Sequence, residues 1–120
     1  MTIQKVLEQL KTADKPIARR LHKGKGFKVL ILGFNKGMVL EDHKTNVSTI
    51  LTVLEGSVYY NNGHSSTLLK KYEEYEIPNH EIHSVEAEED SICLLTQGKR
   101  IQEWQPEEEE DPVEDLESGN

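Results

Sequence analysis

Apolar residues recur along the chain with two different periods. Ile3, Val6, Leu7 and Leu10 fall at i, i+3, i+4 and i+7, one face of a helix. The spacing predicts a helix over residues 2–12, with Thr2 as its N-cap and "ADKP" ending it before Pro16. A helix this short needs packing against another element. Beyond it the pattern is that of strands: "FKVLILGF" (27–34), "STILTVLEG" (48–56), "SVYY", "STLLKKY", "YEIP", "HSVEA" and "SICLLT" are β-rich runs separated by turn or charged residues. Between two of them, Asn62-Gly63 predicts a hairpin with a type I′ turn, which needs positive φ at both central residues. No helix-period segment interrupts the series, so a parallel sheet built from strand–helix–strand units is not expected. The strand after His43 places Val47, Thr49, Leu51 and Val53 on one face and Ile50, Thr52 and Leu54 on the other. Both faces are largely apolar, which calls for cover on both sides: a barrel interior on one, the helix or a second chain on the other. A homodimer is the expectation.

The chain has 120 residues, enough for one domain with a modest core. Its net charge of −8 is unevenly spread. All 14 Lys and Arg lie before residue 103, leaving that body at +1, whereas "EWQPEEEEDPVEDLESGN" carries nine acids and no base. Like-charge repulsion and the lack of apolar surface predict a solvated, disordered tail over 105–120. The expected organisation is a helical segment over 1–14, a β-domain over 15–104 and that tail. One cysteine, Cys93, excludes an internal disulfide and fits a reducing compartment. No segment has the apolar length of a membrane span or a signal peptide core, so the cytoplasm is the expected location. Arg19, Arg20, Lys23, Lys25 and Lys28 cluster, but no aromatics interleave with them, and nucleic acid is not an expected partner. "GKG" lacks the spacing of a phosphate-binding loop.

The five histidines are His22, His43, His64, His80 and His83. His64 sits at the hairpin tip, and His22 falls in the basic stretch, a surface loop or an edge strand. His43 and His83 each begin a strand just after a turn. Two such strands lying side by side would aim both rings into one cavity.

Two longer spacings organise this region. Gly37, five residues, His43, one residue, Thr45, three residues, Thr49, six residues, Gly56 is the first. Tyr72, five residues, Pro78, one, His80, two, His83, three, Ala87 is the second, with fifteen residues between Gly56 and Tyr72. These frames resemble the two sequence motifs of small single-domain cupins of type 2, whose fold is an all-β jelly-roll barrel, the double-stranded β-helix. Gly37, His43, Gly56, Pro78 and His83 keep the motif residues, and "VLEG" and "IPNHEIHSVEA" are also cupin-like. In metal-binding cupins the resemblance assigns ligand positions to His43, Thr45, Thr49 and His83. Threonine has replaced a histidine and the only carboxylate, and a hydroxyl is a weak neutral ligand. His80 is the nearest substitute third donor, with Glu41, Asp42 and Glu81 close in sequence.

Two readings follow from the resemblance. In the first, the barrel binds a small molecule without chemistry of its own, in a pocket lined by His43, Thr45, Thr49, Leu51, Val53 and His83. In the second, His43, His83 and a third donor hold a divalent transition metal (iron, manganese, nickel or zinc) in a dioxygenase-type or isomerase-type enzyme. No catalytic residue is assigned in either. Action through the acidic tail on a protein partner is a third possibility.

Overall fold

The computed structural model describes residues 1–98. The end of the expected β-domain (99–104) and the acidic tail (105–120) lie outside the described residues. The elements run α1 (Thr2–Leu10), β1 (Ile17–Gly24), β2 (Phe27–Phe34), β3 (Val39–His43), β4 (Ser48–Glu55), β5 (Ser57–Asn61), β6 (Ser66–Lys70), β7 (Glu74–Ile77), β8 (His83–Ala87) and β9 (Ser91–Gly98). The strands form a five-stranded sheet ordered β1-β2-β9-β4-β7 and a four-stranded sheet ordered β3-β8-β5-β6. Every pairing is antiparallel. The two sheets face each other as a jelly roll.

The doubly apolar strands are explained by two cores. Leu32 and Phe34 of β2, Leu51 and Val53 of β4 and Cys93 of β9 point between the sheets, where they meet Val58, Leu69, Val85 and Ala87. The opposite face of the same strands supplies Ile31 and Ile92, which pack under Val6 and Leu10 of α1, with Leu54 and Leu94 at the margin. The helix is thus the cover expected on the outer face. It sits close because β2 carries no side chain at Gly33: a Cβ there would lie 2.3 Å from Val6 Cγ1 and 2.9 Å from Leu10 Cδ1.

The chain crosses from one sheet to the other at Gly56, with φ +82°. A Cβ there would meet the Asp90 carbonyl oxygen at 2.2 Å and Ser91 Oγ at 2.4 Å. Ser91 staples this corner, its Oγ accepting from the Ser57 N–H at 3.0 Å and donating to the Glu89 carbonyl at 2.7 Å.

Several local expectations are corrected. The helix begins at Thr2 itself; Met1 is the N-cap, without a side-chain hydrogen bond. Of its predicted apolar face only Val6 and Leu10 are buried, and Ile3 and Leu7 stay exposed. The hairpin turn lies one residue further on, at Gly63-His64, closed by the Asn62 N–H on the Ser65 carbonyl. Only Gly63 has positive φ there, so the turn is not type I′; Asn62 instead accepts from the His64 and Ser65 N–H groups through Oδ1. The basic stretch forms edge strand β1, with a bulge between Arg20 and His22. His83 begins β8 as expected, but His43 ends β3 rather than beginning a strand. Among the described residues no helix is long and apolar enough to cross a membrane.

Candidate functional site

The site is built on the β3–β8 ladder. Leu40 pairs with Val85, the register shifts by an irregularity, and His43 then stands directly opposite His83. Residues opposite one another on an antiparallel pair share a face, so the two imidazoles converge. Their ring centroids lie 4.2 Å apart with the planes tilted by 58°. The column continues inward: His83 stacks on Tyr60 at 5.1 Å and 22°, and Tyr60 contacts Tyr75 at 4.5 Å. His43 is exposed at the outer end, and His83 is 2% exposed.

Both imidazoles are oriented the same way. Nδ1 of His43 donates to the Glu41 carbonyl at 2.9 Å, and Nδ1 of His83 to the Glu81 carbonyl at 3.0 Å. A carbonyl oxygen only accepts, so the proton of each neutral ring sits on Nδ1 and the lone pair on Nε2. Glu81 also orients the next ring with its side chain. Tyr60 Oη donates to Glu81 Oε2 at 2.5 Å, and Asn62 Nδ2 donates to Oε1 at 3.2 Å. Burial first, then the Glu81 carboxylate, pushes the Tyr60 phenol well above its ordinary range, so it remains a donor.

The threonines at the other motif positions are committed locally. Thr49 Oγ1 donates to the Val47 carbonyl at 3.0 Å and lies 3.3 Å from Thr45 Oγ1, which hydrogen-bonds the same carbonyl at 3.4 Å. They close the turn into β4. His80 does not replace the missing donors. It occupies a left-handed turn at φ 65°, its N–H given to the Thr45 carbonyl at 2.8 Å, and its side chain is exposed. Glu81 is engaged with Tyr60 and Asn62. Among the described residues no three His, Cys, Asp or Glu side chains are grouped to hold a metal. Two imidazoles beside two backbone-bound hydroxyls do not fit a resident transition-metal ion, which needs about three good donors.

Of the predicted pocket lining, Leu51, Val53, Thr49 and His83 are packed into the interior, whereas His43 and Thr45 reach described cavities. One cavity, of about 510 Å³, opens between the sheets and is lined by Leu30, Leu32, Leu40, Leu95, His43 and Gln97, among others. Gln97 continues the inward row of β9 beyond Cys93 and Leu95, and its Nε2 donates to Thr49 Oγ1 at 3.4 Å. A second cavity, of about 530 Å³, lies at the β1–β2 hairpin and also reaches His43 and Gln97. Sequence reasoning missed Gln97, the four leucines and Tyr60. Alternation along β5 turns Tyr60 inward and Tyr59 outward.

No protein-family profile and no curated protein matches the chain. Solved structures do. An RmlC-like cupin from Desulfovibrio desulfuricans superposes with a TM-score of 0.65 at 23% identity, over 70% of this chain and 82% of its own. A cupin-2 domain protein from Shewanella frigidimarina gives 0.66 at 13% identity, over 82% and 94%. KdgF from a Halomonas species gives 0.66 at 17% identity, over 77% and 87%. Shared architecture at such low identity is a likeness of fold, and it agrees with the motif frames around His43 and His83: the chain folds as a small cupin.

Proposed function

We propose that this cupin-fold protein binds a small organic molecule between its sheets and performs no metal chemistry on it. The observation that carries the reading is the cavity of about 510 Å³, apolar over most of its wall, with His43, Gln97, Lys15 and Glu41 as its polar groups. Its size and its few convergent polar groups are those of a small-molecule site. The donor set supports the same reading, because His43 and His83 are the only imidazoles at the ligand positions of the motifs while the threonine hydroxyls there are spent on the Val47 carbonyl. The competing reading, a metal-dependent enzyme, draws on the convergence of His43 and His83 within 4.2 Å.

Native mass spectrometry together with metal analysis, on protein purified without chelator, separates the two. The expected result is a non-covalent organic adduct or an empty chain with substoichiometric metal. One iron, manganese, nickel or zinc per chain, lost in His83→Ala, would replace the proposal with the metal reading.

A further inference from the structure

The second cavity has a chemistry of its own. Lys23 of β1, Lys28 of β2 and Lys44 of the β3–β4 loop line it, with Asn46, Thr45 and the glycines of the β1–β2 hairpin, and among the described residues no carboxylate contributes to the wall. Lys23 and Lys28 stand directly opposite one another in the β1–β2 ladder. Like charges at opposed positions oppose strand pairing, so this is a local cost without a structural return. Among the described residues the ion pairs are Lys11–Glu8 and Lys71–Glu55, neither of which involves these lysines. Three cations therefore converge on one concave surface with no ion pair to them among the described residues.

This cleft adjoins the apolar cavity. His43 and Gln97 line both, so one molecule can extend from the leucine-walled space past these two side chains into the field of the lysines. We propose that the ligand is an amphiphilic organic anion, its apolar body between the sheets and its carboxylate-type head among Lys23, Lys28 and Lys44. This deepens the small-molecule reading of the barrel and rests on it. The apolar wall supplies affinity by removing hydrocarbon from water, and the lysines select the charged head. His43 and Gln97 stand at the waist, where polar groups fix the orientation of the bound molecule.

Calorimetric titration of the full 120-residue chain with octanoate, 1-octanol and acetate tests this. Octanoate is expected to bind about tenfold or more tightly than 1-octanol at low salt, and acetate not measurably. About 1 M NaCl, where the screening length falls to roughly 3 Å, should erase the preference. The triple variant Lys23→Gln/Lys28→Gln/Lys44→Gln changes exposed side chains only. It should bind octanoate and 1-octanol alike, whereas Lys5→Gln/Lys11→Gln/Lys70→Gln, with the same change in net charge, should keep the preference. Equal affinity of the wild type for octanoate and 1-octanol, or a preference that survives the first triple variant, overturns the anionic head and leaves barrel binding standing. If neither alkyl probe binds, the barrel reading itself fails and this inference with it.

Discussion

His43 and His83 face each other across one rung of an antiparallel ladder, one ring in solvent and the other sealed against Tyr60. The asymmetry in burial sets an asymmetry in cost. His83→Ala removes a buried ring, its hydrogen bond to Glu81 and its stacking, and should cost about 2–4 kcal/mol in urea unfolding. His43→Gln should cost about 1 kcal/mol or less. A double-mutant cycle on the pair should return a coupling of about 0.5–1.5 kcal/mol. Equal single costs and no coupling would mean that the ring contact does not hold in solution.

Alkaline pH gives a second test. Burial pushes the Cys93 thiol from 9.0 up to about 12, and the Tyr60 phenol is raised above its ordinary 10.0. Each group holds its proton more tightly folded than unfolded. The stability it contributes is therefore complete below its unfolded pKa and is lost as pH rises through the folded value. Denaturation midpoints should stay level to about pH 9 and then decline. Tyr60→Phe and Cys93→Ala should each flatten the decline, above a background from Tyr59, which is raised by its hydrogen bond to Glu88. A decline unchanged in both variants contradicts the assignment.

Tyr60→Phe also isolates a single hydrogen bond at neutral pH. It deletes the donor 2.5 Å from the Glu81 carboxylate and should cost about 1.5–3 kcal/mol, the range for a bond to a charged acceptor. A loss below about 0.5 kcal/mol would show that water replaces the phenol without penalty.

Two glycines of similar backbone separate conformational strain from collision. Gly37 has φ +86° with nothing within 4 Å of a built Cβ, so Gly37→Ala should cost about 1–2 kcal/mol. Gly56 has φ +82° and would drive its Cβ into the Asp90 carbonyl, so Gly56→Ala adds steric displacement and should cost about 2–5 kcal/mol. Thermal melts of both variants measure the difference, and equal losses would mean that the sheet-crossing corner gives way freely.

Gly33→Ala tests the seat of the helix. The added methyl meets Val6 and Leu10 and should lift α1, at a cost of about 1–3 kcal/mol. Hydrogen exchange should quicken in residues 2–10 while β4 and β9 stay protected. Uniform quickening across the barrel would make the helix part of the same cooperative unit.

The parts of this fold that were legible in the sequence are those fixed by local chemistry. "FKVLILGF" reads as a strand because a β-rich apolar run needs cover on both faces, and it forms β2 with the same ends. The convergence of His43 and His83 was not fixed by spacing alone; it was implied by the resemblance of the two motif frames to those of small cupins. Facing was not legible in the doubly apolar strands, since alternation is the signal that tells inside from outside. Leu30, Leu32 and Leu95 could not be distinguished from Val29, Ile31 and Leu94 until the helix was seen to cover one side. The lysine cleft was hidden differently: Lys44 joins Lys23 and Lys28 only through tertiary packing, so the basic cluster looked like a surface stripe. The Asn62-Gly63 turn slipped by one residue because Asn62 uses its side chain as an acceptor rather than entering the left-handed region itself.

The lone thiol at position 93 lies with no exposed surface between the sheets. A maleimide dye cannot reach it while the jelly roll is closed, so each labelling event marks one spontaneous parting of the walls. The chain thus carries a built-in clock for its own breathing, and a bound guest should slow it in proportion to occupancy.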